Sequence, residues 1–195
     1  MPAPNYEQEL QIAIALSREA GAAILSLYKE PLDVQQKNYD DDYEPVTEAD
    51  RVANQIIVDR LTAEFPDDGI LAEESIDTDR RLQKQRVWMV DPLDGTTGFI
   101  QANGDFAVQI GLVEDGECVV GVVYQPLTGV LYRAARGSGS WVERPEIAPQ
   151  RALVSDHNEL AKMRLAASRS HRSPRMAISA ASTISRPPLT KPNSH

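Results

Sequence analysis

Trp88-Met89-Val90-Asp91-Pro92-Leu93-Asp94-Gly95-Thr96-Thr97-Gly98-Phe99 is the stretch around which the remainder of the chain is organised. Val87 to Val90 is a short apolar run of the kind that forms a buried strand. It ends on Asp91, and Asp94 follows three residues later. Pro92 fixes its own φ and has no N–H, which predicts that the strand stops there and the chain turns. Two carboxylates leaving one rigid strand end at this spacing converge on one point. Two unpaired negative charges do not sit together cheaply, and a hard divalent cation relieves that conflict; carboxylate oxygens are the ligands magnesium prefers. Gly95 lets backbone approach a ligand closely, and Thr96 opens a helix whose first amides face an anion. An Asp-Gly turn followed by a threonine helix cap accounts for the same residues without any ligand.

Composition narrows the setting. The 195 residues are 42% hydrophobic and 25% charged, enough apolar side chain for a real core in one domain with a tail. No apolar run approaches the roughly 20 residues of a bilayer-spanning helix, and the N-terminus has no signal-peptide pattern, so no membrane partner is expected. Cys118 is the only cysteine, which forbids an internal disulfide and fits a reducing cytoplasm. His157, His171 and His195 all lie late, and no His/Cys cluster has zinc spacing. The net charge of −9 is unevenly spread: residues 1–150 hold 12 Lys and Arg against 27 Asp and Glu, residues 151–195 hold 8 against 2. So acidic a body argues against a nucleic-acid polymer as partner and suits carboxylates gathered for cations.

Taken in order, Asn5 and Gln8 have capping-box spacing, and Leu10, Ile14, Ala20, Ile24 and Leu27 keep helical period up to Pro31. Residues 33–45 are polar and acidic and read as a flexible loop. Pro45-Val46-Thr47-Glu48-Ala49-Asp50 starts a second helix, with Thr47 as N-cap, Asp50 at the third position and Val52, Ile56, Leu61 and Phe65 as its buried stripe. Ile70-Leu71-Ala72 is a short strand ending on Glu73-Glu74, so two successive strands deliver carboxylates at their C-terminal ends. After a short helix through Phe99 and Ile100, Phe106–Val113 and Cys118–Tyr124 form a hairpin over Glu114-Asp115-Gly116-Glu117, and Val130–Ala134 adds a strand. Helices followed by hairpin-linked strands make an α+β layered domain. From about Ile147 the pattern fades, with a helix possible over 155–166 and a strand from Leu165. Beyond Ser168 the Ser/Arg/Pro-rich composition reads as disordered.

Asp50, Glu73, Asp91, Asp94 and Thr96 together form an oxygen-only set of the type two-metal hydrolases use. The segments Pro45–Asp50 (PVTEAD), Ala72–Ser75 (AEES) and Asp91–Phe99 (DPLDGTTGF) resemble, in order, the N-terminal signatures of the inositol monophosphatase family. Gly121–Pro126 and Tyr132–Gly139 are also similar to it. The resemblance implies an αβαβα layered fold and a Mg2+-dependent, lithium-sensitive phosphomonoesterase. It assigns Glu73, Asp91, Asp94 and the Leu93 carbonyl to the metal, and Asp50, Thr96 and again Glu73 to catalysis, the first two orienting and deprotonating the attacking water. Gly95 and Thr96 amides fall to the phosphate, and Glu74 to electrostatic support. Thr97 resembles inositol monophosphatases, whereas Asn103–Phe106 and Ser168–His171 look more like the bisphosphate nucleotidase branch, to which the balance leans. The implied partner is a small phosphate monoester, adenosine 3',5'-bisphosphate or inositol monophosphate.

The resemblance covers roughly residues 7–175. The family's later tryptophan–aspartate pair, which carries a further metal ligand, has no counterpart after Trp141, and Met176–His195 resembles nothing in the family. The expected organisation is therefore a metal-binding domain over 1–150, the start of a C-terminal subdomain over 151–175, and an aberrant or disordered tail over 176–195. A fragment or a tail read out of frame would account for the break; exposed apolar surface, self-association (a homodimer included) and a weak or inactive metal-binding remnant are then expected. A haloacid-dehalogenase phosphatase is the rival enzyme, but here Pro92 and Leu93 separate the aspartates by one residue too many, and that rival leaves Asp50 and Glu73 unexplained.

Overall fold

The protein is described here from a computed structural model covering residues 5–28, 35–39, 42–77, 79–156 and 159. In chain order the elements are α1 (Glu7–Leu27), β1 (Gln35–Tyr39), β2 (Asp42–Val46), α2 (Glu48–Glu64), β3 (Gly69–Ala72) and β4 (Arg86–Asp94). Then come α3 (Thr96–Ile100), β5 (Ala107–Glu114), β6 (Glu117–Gln125), β7 (Val130–Ala135), β8 (Gly139–Arg144) and β9 (Ile147–Arg151). Strands β3 to β9 pair in sequence order into one seven-stranded sheet, with β3 and β4 parallel and every later pair antiparallel. This is the α+β layering expected. The chain divides into two compact units, Met1–Leu153 and Val154–His195. The helix expected over 155–166, apart from residues 155, 156 and 159, lies outside the described residues, as do the strand from Leu165 and the tail.

The sheet is two-faced because β residues alternate sides. Trp88, Val108, Ile110, Leu112, Val122 and Leu131 point to one face and are buried against α1 and α2. The other face leaves Met89 47% and Tyr132 50% exposed. Each fully buried side chain of this size contributes about 1.5–3 kcal/mol, so the helix-covered face holds the fold together. At the start of β4, Arg86 Nη2 reaches Glu9 Oε1 of α1 at 2.8 Å, and its Nε lies 3.2 Å from Asp68 Oδ1, an ion pair without hydrogen-bond geometry. Trp88 Nε1 donates to the other oxygen of Asp68 at 3.0 Å. Helix α1, the loop before β3 and β4 are thereby tied at the end of β4 remote from Asp91.

Several expectations are corrected. Residues 33–45 are not simply a loop: β1 and β2 pair antiparallel from Gln35↔Val46 to Tyr39↔Asp42, a ladder made by backbone groups without the apolar alternation that flags a strand. Asp40 and Asp41 lie outside the described residues. The Asn5/Gln8 box is not formed; Tyr6 is the N-cap of α1 without a side-chain cap, though Asn5 Oδ1 accepts from Glu7 N at 3.1 Å. The buried stripe of α2 is Ala49, Ala53, Ile57 and Leu61, one residue round from the expected set except at Leu61. Small alanines let α2 lie close to α1 and β4, and the bulkier Ile56 and Phe65 pack at the flank. β8, which the sequence reading did not include, and β9, where the pattern fades, continue the sheet; β9 is exposed throughout, so no buried apolar face marks it. Helix α1 is by length and composition apolar enough to cross a membrane, a test that a buried core helix passes equally. Its buried side packs on β5, β6 and β7.

Candidate active site

Local sequence chemistry builds the first wall. Thr47 caps α2 and Asp50 closes the capping box: Asp50 Oδ2 accepts from Thr47 N at 2.7 Å and from Thr47 Oγ1 at 2.6 Å. The Thr47 hydroxyl oxygen in turn accepts from Ala49 N at 3.2 Å. Asp50 is only 2% exposed, so this carboxylate is fixed and has one oxygen, Oδ1, to offer elsewhere. That oxygen accepts from Thr96 Oγ1 at 2.9 Å.

Thr96 stands just past the end of β4. The strand does not stop at Pro92 but runs through Asp94. Register jumps from Asp91↔Gln109 to Asp94↔Ala107, three residues on β4 against two on β5. Pro92 thus sits in a β-bulge, where the ladder needs no N–H from it. The bulge re-aims the aspartates relative to an ideal strand. Gly95 follows with φ +93, then α3, and Thr96 Oγ1 also lies 3.2 Å from the Leu93 carbonyl. A Cβ on Gly95 would stand 2.4 Å from the Asp105 carbonyl oxygen, and one on Gly98 2.3 Å from the same atom. The close approach that these glycines permit is to the chain's own 105 peptide.

Glu73 enters from β3. Its N–H donates to Val90 O at 3.1 Å, extending the parallel pairing by one residue and bringing Glu73 beside Asp91. Burial, most of all, pushes the Asp91 carboxyl up to about 8; the charges of Glu73 and then Asp94 add to this. A hydrogen bond with Glu73 raises it further, and the Leu93 backbone bond opposes the rise. Asp91 Oδ1 is buried with no hydrogen-bond partner among the described residues. A crowded, oxygen-only carboxylate set with an orphaned buried oxygen fits a hard divalent cation. Among the described residues no three His, Cys, Asp or Glu side chains are already arranged as a cage, so Glu73, Asp91 and Asp94 are neighbours rather than a closed ligand set.

Two polar residues at the site escaped sequence reading. Gln109 Nε2 donates to Asp94 Oδ2 from β5. Asn54, on the same side of α2 as Asp50 and one turn on, is 9% exposed and donates to Ser75 Oγ at 3.0 Å, while its Oδ1 is buried without a partner among the described residues. No sequence signal marked Asn54, because the stripe expected for α2 ran through Val52 and Ile56 and left it on the other side of the helix. For Gln109 the signal was a polar side chain at the outward position of an apolar strand. An open trough of about 560 Å3 runs from Glu73, Asp91 and Gln109 over the apolar floor at Met89 and Val123.

A model of the inositol monophosphatase family matches residues 5–190. The chain belongs to that family. The match runs to residue 190, past the expected limit near 175, which corrects the expectation that residues 176–190 resemble nothing in the family. The chain is 43% identical over 138 residues to the 3'(2'),5'-bisphosphate nucleotidase CysQ of Escherichia coli K12, covering 69% of this chain and 54% of that protein. It is 32% identical over 157 residues to the inositol-1-monophosphatase of Bacillus subtilis, covering 80% of this chain and 58% of that one. The crystal structure of CysQ from Bacteroides thetaiotaomicron superposes with a TM-score of 0.69 at 32% identity, over 91% of this chain and 68% of that one. The chain thus spans about half the length of the curated relatives it matches.

Proposed function

We propose that this inositol monophosphatase family chain carries a Mg2+-dependent phosphomonoesterase site that uses water as the nucleophile. The observation that carries the reading is the Thr96–Asp50 contact beside the crowded Glu73/Asp91/Asp94 carboxylates. Held by Glu73, Asp91, Asp94 and the Leu93 carbonyl, magnesium would supply charge that acidifies water and stabilises the leaving oxygen. Asp50 Oδ1 accepts the Thr96 hydroxyl proton, which leaves the Thr96 oxygen lone pairs to accept from a water. As that water attacks phosphorus, its proton passes to Thr96 Oγ1 and the Thr96 proton passes to Asp50. The P–O bond to the alcohol breaks, and the departing oxygen takes a proton from solvent. The Gly95 and Thr96 amides are assigned to the phosphate oxygens, and Glu74 to electrostatic support, as in the family pattern.

The substrate proposed is a small phosphate monoester, with adenosine 3',5'-bisphosphate ahead of inositol monophosphate. The higher identity to the bisphosphate nucleotidase and the Asn103–Phe106 segment support that order. A single, unpaired cysteine, Cys118, supports a cytoplasmic setting. Phosphate release from both substrates, with Mg2+ and with EDTA, tests the reading; lithium should inhibit, and Asp94→Asn should abolish turnover. Turnover that survives EDTA overturns it. A second reading, cation binding with weak or no turnover, is favoured by the lack of a closed carboxylate cage among the described residues. Turnover measured per bound Mg2+ separates the two.

A further inference from the structure

The pairing of β4 with β5 sets Gln109 directly opposite Asp91, on the face away from the helices that bury Val108 and Ile110. The bulge that follows carries Asp94 diagonally across to the same side chain, and Gln109 Nε2 donates to Asp94 Oδ2. Among the described residues nothing in the packing asks for a carboxamide there, since α1 and α2 cover the other face of β5. Its chemistry is specific, however. A carboxamide donates to a carboxylate without neutralising it, whereas Lys or Arg would both occupy the oxygen and repel a cation. Its reach also matters, because the Asp94 carboxylate lies beyond the residue paired with Gln109.

We infer that Gln109 is a positioning residue for Asp94: its carboxamide holds Oδ2 and fixes the rotation of the carboxylate, so that Oδ1 is the oxygen left for a cation. The inference rests on the reading of Asp94 as a magnesium ligand. Partners that orient a ligating carboxylate in this way typically change metal affinity 10–100-fold when removed, as an order of magnitude.

The test is Mg2+ titration by calorimetry on the full chain and on Gln109→Leu, Asp94→Asn and the double variant, with melting temperatures taken in EDTA. Gln109→Leu should weaken Mg2+ binding by about tenfold or more and leave the metal-free melting temperature unchanged. Kinetically, the Mg2+ concentration for half-maximal rate should rise more than kcat falls. In the Asp94→Asn background the same change should add nothing, because Gln109 then has no ligand to orient. Wild-type affinity in Gln109→Leu, with affinity lost in Asp94→Asn, overturns this inference and leaves the metal site standing. A further loss in the double variant also overturns it. If the wild-type chain binds no Mg2+, the metal reading and this inference fall together. Gln109→Met, similar in length and without a donor, carries the same test should the leucine variant not fold.

Discussion

Thr96 Oγ1 donates to Asp50 Oδ1 across 2.9 Å, joining two residues 46 positions apart. The other Asp50 oxygen is already taken by the Thr47 N–H and hydroxyl, so the contact completes a buried carboxylate whose hydrogen-bond acceptors are both in use. It also couples the start of α2 to the turn after β4, the two segments that the proposed chemistry needs together.

Thr96→Val keeps the shape and removes the hydroxyl, leaving Asp50 Oδ1 buried without that donor. The expected loss is about 1–3 kcal/mol of stability, read as a lower melting temperature, together with loss of phosphate release. Thr96→Ser should restore both. A valine variant as active as wild type would remove Thr96 from the proton path.

The metal-free protein should lose stability as pH rises from about 4 to about 8. Asp91 has its carboxyl raised from the ordinary 3.8 to about 8, so across that window the folded chain holds a proton that the unfolded chain has released. The favourable contribution is complete below the unfolded value and is lost as pH climbs through the folded one. Thermal melts in EDTA at several pH values should show this slope, and Asp91→Asn should flatten it. Mg2+ binding below pH 8 should also release protons, seen as a buffer-dependent binding enthalpy.

Gly98→Ala should be poorly tolerated, because the added methyl would stand 2.3 Å from the Asp105 carbonyl oxygen and 3.0 Å from Asn103 Oδ1. A backbone atom cannot swing aside as a side-chain tip can. Gly95→Ala faces the same carbonyl at 2.4 Å and must also hold φ +93, so its melting temperature should fall at least as far. By contrast, a methyl at Gly116 meets nothing within 4 Å, and Gly116→Ala should show only the modest effect of its φ of +80.

Asn54→Leu should loosen the segment that carries Glu73 and Glu74. The amide of Asn54 holds Ser75 Oγ at 3.0 Å, and Ser75 N bonds back to Ala72 O at 3.1 Å. Mg2+ affinity should fall while the melting temperature holds or rises, since the substitution also removes a buried oxygen with no partner. Hydrogen exchange at residues 73–75 should quicken. Unchanged exchange and unchanged affinity would reduce Asn54 to packing.

Much of this chain is legible in short windows. The Thr47/Asp50 capping box forms as spaced, since both partners lie within one helical turn. Asp115 and Gly116, with φ of 52 and 80, make the two-residue turn that their types demand. The order of the three motif segments also placed the family without any coordinates. Other features depend on atoms that sequence distance does not relate. Pro92 reads as a strand end, and only pairing with β5 shows that a bulge absorbs it. The α2 stripe turned by one residue because close packing favoured Ala49 and Ala53 over larger neighbours, a choice made by α1 and β4 rather than by hydrophobicity. Asp91 owes its raised pKa to burial and to Glu73 from another strand, and Gln109 meets Asp94 only because register and bulge bring positions 15 apart onto one diagonal. Local hydrogen bonding and side-chain period are set by residues a few positions apart. Register, burial and mutual charge are set by whichever segments pack together, and those only the tertiary structure decided.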